Sequence, residues 1–310
     1  MKRRTILMLL AAVSLAGCAT TSASGSASSA GSGAHGSFPL TVSSANGPVT
    51  IKSEPHRIVS VSASATSMIY DIGAGSQVVA VDKYSTDPPS APRTALTGFE
   101  TGAESYLTYR PDLVVLAQDP GGTVSAQLAA AGVPALVLEP ATALRDTYAQ
   151  ITTLGRATGQ EGGAATENAS IKARLATIVR EVGGRGRGAT YYPELDPTLY
   201  SATSHTFIGA LFAMLGMVNV ADAAGTSGNQ YPQLSPEYLI RSDPQYVFLA
   251  DDVCCGQSAT TFASRPGFSV LQAVRRHRVF AVPDSIASEW GPRVVVFLKM
   301  VAKDLGVASP

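Results

Sequence analysis

The sequence predicts an α/β protein of two lobes, each built on a mostly parallel sheet, with a single long helix joining them. Three observations carry that prediction. From residue 58 onward, short apolar runs of strand length alternate with helix-length segments, the pattern of strand–helix–strand units. Near the middle, one long helix-prone stretch interrupts the alternation. A fourteen-residue phrase is also written twice, as ESYLTYRPDLVVLA from Glu104 and EYLIRSDPQYVFLA from Glu237. The two copies align without a gap, with Glu first, Pro eighth and Val-x-Leu-Ala last.

The elements follow in order. PLTVSSANGPVTI at 39–51 holds Asn46-Gly47 between two β-rich runs, a hairpin signal. IVSVS at 58–62, VVAVD at 78–82, DLVVLA at 112–117 and ALVLE at 135–139 read as buried strands, with helices at 65–73, 121–132 and 142–155. Segment 159–184 sets Ile171, Leu175, Ile178, Val179 and Val182 on one helical stripe and stops at Gly183-Gly184. Alternation then resumes with ATYYPEL at 189–195, a helix from about 204 to 216, YVFLAD at 246–251 and RVFAV at 278–282. A last helix starts at Pro292 and closes at Leu305-Gly306. The expected division is a lobe at 38–158, a linking helix at 159–184 and a second lobe at 185–310. In the doubled phrase, each lobe has a short helix feeding a buried strand, ended by Pro111 or Pro244.

The first seventeen residues, MKRRTILMLLAAVSLAG, have the basic start and short apolar core of an export signal. The segment ends LAGC, which resembles a bacterial lipobox, so Cys18 is expected to be acylated and to hold the mature chain on the outer side of the cytoplasmic membrane. Residues 18–37 are rich in Ser, Gly and Ala and predict a flexible tether, spanning roughly 25 Å for about twenty residues. Export permits disulfides, and Cys254-Cys255 is expected to form a vicinal one, with two free thiols as the alternative. No His or third Cys lies near them, so no metal set is expected.

Charged residues are 15% of the chain and the formal net charge is zero, which predicts no nucleic-acid partner. The motifs GxSxG and HExxH and a Walker A loop are absent, and no enzyme activity is expected. A lipid-anchored hydrolase using Ser204 or Ser258 with a His is the remote alternative. Ligands of open α/β sheets bind outside the carboxyl ends of the strands, so the loops there hold the candidate contacts. They carry the rings Tyr84, Phe99, Tyr231 and Trp290, suited to burying a large rigid ligand. They also carry acids, among them Asp119, Glu139, Glu194, Asp251, Asp284 and Glu289, which disfavour a strongly anionic guest. His205 is placed in the first turn of its helix, where ligand contact stays open.

EPHRIVSVSASATSMIYDIGAGSQVVAVDKYSTDPP, the doubled phrase, LYSATSHTFIGALFAMLG, YPQLSPEYL and SRPGFSVLQAVRRHRVFAV resemble the cobalamin and iron-siderophore binding proteins of ABC importers, over about residues 54 to 308. The resemblance implies two Rossmann-like lobes joined by one rigid helix, delivery of ligand to a permease and its ATPase, no catalysis, and a monomer without a cofactor of its own. It is nearest the cobalamin members. It implies ring contacts to a corrin from Tyr84, Phe99 and Tyr231, to which the reading of the cleft loops adds Glu194 and Trp290 as candidate ligand contacts. It also implies that Glu104 and Glu237 meet Arg residues of the permease. QDPGG carries no aromatic where those members have one. The expected ligand is cobalamin or another corrinoid, with a hydroxamate ferric siderophore and haem as alternatives. Thr101 to Glu104 has capping-box spacing and Ser235-Pro236-Glu237 reads as N-cap, N1 and N2, so both glutamates also suit helix starts.

Overall fold

The computed structural model describes residues 37–100, 102–226 and 228–307. The leader, Cys18 and all but the last residue of the tether lie outside the described residues.

Strands β1 (Leu40–Val42) and β2 (Val49–Ile51) pair antiparallel across the Asn46-Gly47 turn, where Gly47 takes φ +104. The hairpin covers an edge of the first sheet: Ala45 N donates to Val137 O, and Val137 N to Ser44 Oγ.

The first lobe runs β3 (Ile58–Val61), α1 (Ala63–Asp71), β4 (Val78–Val81), α2 (Glu104–Leu107), β5 (Leu113–Leu116), α3 (Thr123–Ala130), β6 (Ala135–Val137) and α4 (Leu144–Thr158). Helix α5 (Glu161–Val182) follows. The second lobe runs β7 (Thr190–Glu194), α6 (Phe207–Met214), β8 (Val218–Asn219), α7 (Pro236–Ser242) and β9 (Tyr246–Leu249). It continues with α8 (Asp252–Cys255), α9 (Ala259–Ala263), α10 (Gln272–Arg275), β10 (Val279–Ala281), α11 (Asp284–Ala287) and α12 (Val294–Asp304). The two-residue β8 has no apolar run to announce it, and α12 starts two residues beyond Pro292, which sits in the preceding turn.

Both sheets have one topology. The orders are β4-β3-β5-β6 and β8-β7-β9-β10, with every neighbour parallel. The apolar runs of β3, β5 and β9 are buried on both faces, whereas the edge strands β8 and β10 are partly exposed. Ile58, Leu113 and Val115 enter one core, while Val59, Val61 and Val114 enter another. In the second lobe Tyr191 and Phe248 join the first of these cores, and Tyr192, Val247 and Leu249 form a third.

Ile171, Leu175, Ile178 and Val182 of α5 lie in the shared core, and α5 packs on α4 and α12. Each such side chain contributes about 1.5–3 kcal/mol by leaving water. Val179, on the flank of the same stripe, is only half-buried. Gly163 permits the closest approach: a Cβ there would lie 2.0 Å from the carbonyl oxygen of Ile72.

The doubled phrase folds twice the same way. A residue of left-handed backbone, Arg110 (φ 48) three positions past α2 and Asp243 (φ 41) at the C-cap of α7, stands immediately before Pro111 and Pro244. A left-handed residue turns the chain out of the helix, and the proline after it cannot re-enter one. Strands β5 and β9 follow, fully buried in both lobes. The helix starts differ from each other. Ser235 caps α7, its Oγ accepting from Tyr238 N, whereas α2 has Ala103 at its N-cap without a side-chain cap bond, and Thr101 lies outside the described residues.

Candidate ligand cleft

A cavity of about 740 Å³ lies at the carboxyl ends of the strands of both sheets, a volume typical of small-molecule sites. The first lobe supplies most of the wall. Ser62, Ala63 and Ser64 come from the turn after β3, Asp82, Lys83 and Tyr84 follow β4, Ala117 and Gln118 follow β5, and Pro140 follows β6. Gly98 and Phe99 come from the long segment before α2. The second lobe adds Val253 on α8 and Asp284, Ser285, Ser288, Glu289 and Trp290 after β10.

Local folding explains these placements. Ser62 ends β3 and caps α1, its Oγ accepting from Ala65 N, so the turn keeps small side chains at the cavity floor. Beneath it Thr66 donates to Ser60 at 2.8 Å, and Ser85 donates to Asp82 at 2.7 Å. Burial raises the Asp82 carboxyl above its usual range against these bonds from Ser85, which lower it. Tyr84 and Phe99 are 51% and 69% exposed, and Lys83 Nζ stands 4.9 Å from the Tyr84 ring centroid. Exposed rings at the mouth of a cavity await a partner surface.

Trp290 has a second task. Its Nε1 donates to Gln150 Oε1 at 3.0 Å, its backbone N donates to Ser64 Oγ at 3.2 Å, and its carbonyl accepts from Thr147. Beside it Ser67 donates to Glu289, which is also paired with Arg293 at 3.1 Å. These bonds stitch the loop after β10 to α1 and α4 of the other lobe. Burial raises the Glu289 carboxyl, while Arg293 opposes the shift.

Several expected contacts lie elsewhere. Glu194 is fully buried and held by two bonds from Arg265, at 2.6 and 2.8 Å, so it is no wall of this cavity. Tyr231 is exposed but does not line it. Asp119 is bound to Asn46 and Ser125, and Asp251 is fully buried, so the wall is less acidic than the loop sequences imply. His205 is exposed just before Thr206, the N-cap of α6. Ser258 caps α9, its Oγ accepting from Thr261 N. Cys254 and Cys255 are free thiols on the exposed turn α8, which corrects the expected disulfide: consecutive helical residues do not face each other. The Cys254 thiol is pushed up to about 12, chiefly by the neighbouring Cys255 thiol.

Glu104 and Glu237 are exposed at the first turns of α2 and α7, equivalent points of the two lobes. Bonds at the start of its helix hold the Glu237 carboxyl below its usual range.

The small and neutral wall residues Ser62, Ser64, Gln118 and Val253 escaped sequence reasoning, which weighed rings and charges. The available signal was SVSASAT, small residues between a strand and a helix. A second depression of about 830 Å³ lies between the hairpin and α3, but Pro111, Asp112 and Pro134 place it at the amino ends of β5 and β6. Among the described residues no helix is long and apolar enough to cross a membrane, and no group of three His, Cys, Asp or Glu is placed to hold a metal ion.

Two parallel sheets with matching topology, one helix between them and a cavity at their facing strand ends define a two-lobed binding protein rather than an enzyme. The chain belongs to the periplasmic binding protein family, whose sequence pattern matches residues 58–286. It is 29% identical over 310 residues to an ABC transporter substrate-binding lipoprotein of Bacillus subtilis, covering 96% of this chain and 95% of that protein. It is 33% identical over 218 residues to a cobalamin-binding protein of Halobacterium salinarum, covering 68% of this chain and 58% of that longer protein. Among solved structures, the periplasmic haem-binding protein RhuT of Roseiflexus sp. RS-1 superposes with a TM-score of 0.70 at 25% identity, covering 81% of this chain and 98% of that one.

Proposed function

We propose that the protein is the extracytoplasmic substrate-binding component of an ABC importer, anchored through acylated Cys18, that captures cobalamin or another corrinoid and hands it to the permease. The observation that carries the reading is the 740 Å³ cavity at the facing strand ends, with Tyr84, Phe99 and Trp290 on its wall. Flat rings bury a large rigid macrocycle at small entropic cost. The similarity to a cobalamin-binding protein supports the choice of ligand. Binding requires no proton transfer or covalent step, only burial of ligand surface between the loops of two lobes. Glu104 and Glu237, exposed at equivalent helix starts, are the docking points for basic residues of the permease. Residues 18–37 act as the tether.

The test is titration of the tag-free mature domain with cyanocobalamin, followed by gel filtration. Corrin absorbance that travels with the protein supports the reading. If haemin or a ferric hydroxamate quenches Trp290 fluorescence at micromolar concentration while cyanocobalamin leaves it unchanged, the ligand is an iron chelate instead. The haem reading has an observation of its own in the superposition with a haem-binding protein.

A further inference from the structure

Behind the second-lobe wall of the cleft lies a buried cluster with more acid than base. Glu194 ends β7 and Asp251 follows β9, the neighbouring strand, and both are 0% exposed. Arg265 spends its guanidinium on Glu194, through Nη1 to Oε2 at 2.8 Å and Nη2 to Oε1 at 2.6 Å. The Tyr192 hydroxyl also donates to Glu194, at 3.3 Å. Neither oxygen of Asp251 receives an N–H or O–H from an uncharged group or a cation. The Glu194 carboxyl is the acidic group beside it, at the end of the paired strand. Two carboxylates are acceptors only, so a bond between them exists only when one carries a proton. Glu194 already has the cation, so the proton belongs on Asp251.

The same cluster anchors α8. Cys255 N and Gln257 N both donate to the Asp251 carbonyl at 3.3 Å, and Arg265 Nη2 donates to Gln257 Oε1 at 2.7 Å. Helix α8 is a single turn without a side-chain cap bond, and a turn of that length does not persist on its own backbone bonds. It carries Val253, 71% exposed, as a wall of the cleft.

We infer that Asp251 is a positioning residue of the ligand cleft: its protonated carboxyl bonds to Glu194 and holds α8, with Val253, in place against the cavity. The inference rests on the reading that this cavity is the ligand site. The groups facing Asp251 are Glu194 and Tyr192 from β7, Arg265 from beyond α9 and Cys254 from α8. Burial and then the Glu194 charge push the Asp251 carboxyl up to about 7, while Arg265 pulls the other way. Above that pH the buried pair holds two negative charges against one guanidinium, and α8 loosens to admit water. Ligand affinity therefore falls as pH rises through neutrality.

The experiment is amide hydrogen exchange of the ligand-free protein from about pH 5.5 to about pH 8.5, read as protection factors at Cys255 and Gln257. The wild type should lose protection by about tenfold over this range. Asp251→Asn, whose amide donates to Glu194 without ionising, should hold a flat profile. Asp251→Ala should be poorly protected throughout. Cyanocobalamin titrations should follow the same pH dependence in the wild type and lose it in Asp251→Asn. A flat wild-type profile, or an Asp251→Asn profile that tracks the wild type, overturns the inference. If cyanocobalamin binds at no pH, the corrinoid reading falls, and the exchange profiles still decide the role of Asp251.

Discussion

The two lobes repeat one topology, down to a left-handed residue before proline at Arg110 and Asp243, yet they place their polar chemistry differently. The first lobe presents its loops openly: Tyr84 and Phe99 stand exposed at the cavity, and small serines floor it. The second lobe buries its charge, sealing Glu194 and Asp251, with Arg265 half-buried beside them, behind a short turn that offers the cavity mainly Val253. Sheet topology fixes where the loops emerge, and loop sequence fixes what they do there. The first lobe is read as the gripping half and the second as a proton-sensitive wall.

The largest effect should come from breaking the buried pair. Arg265→Leu leaves Glu194 and Asp251 without a cation and should cost about 3–5 kcal/mol in chemical denaturation. A loss below about 1 kcal/mol would mean that the cluster is hydrated, and the contrast between the lobes would go with it.

Next come the exposed rings. Tyr84→Ala and Phe99→Ala should leave stability within about 0.5 kcal/mol, since both side chains are already in solvent. Each should weaken cyanocobalamin binding by about tenfold, measured by titration. Tyr231→Ala, outside the cavity wall, should change affinity by less than about twofold. Equal losses at all three positions would show that Tyr231 also reaches the ligand.

A further effect is a slope in stability with pH. The folded Asp251 carboxyl lies at about 7 against an ordinary 3.8, so it binds its proton more tightly folded than unfolded. Its contribution is complete below about 3.8, declines as pH rises to about 7 and is level beyond. Glu194, Asp82 and Glu289 are raised by burial and act in the same direction. Asp119 and Asp146 are lowered, and their stabilisation is lost instead as pH falls through the acid range. Asp251→Asn should therefore flatten the decline between about 4 and 7 in thermal unfolding. An unchanged slope would assign it to the other raised carboxyls.

Much of the fold was legible because it rests on period and punctuation. The mainly apolar runs at 58–62, 112–117 and 246–251 suit burial on both faces inside a parallel sheet, and Gly183 marks the end of α5. The site was legible as loops but not residue by residue. Glu194 reads as a loop carboxylate until Arg265, 71 positions later, folds onto it. Tyr231 and Phe99 look alike in sequence, yet only Phe99 lines the cavity. Cys254-Cys255 reads as a disulfide pair, yet both are free thiols on an exposed helical turn.

By itself, the sequence determined the class of architecture, the pairing of two similar halves and the loops that border the cleft, because these follow from local periodicity and turn chemistry. Only the tertiary structure decided which loop side chains meet solvent and which are sealed against a partner. It also decided that Trp290 ties one lobe to the other, through Thr147 and Gln150, more than a hundred residues away in the chain. Burial and pairing are set by distances between residues remote in sequence, and no local pattern encodes those distances.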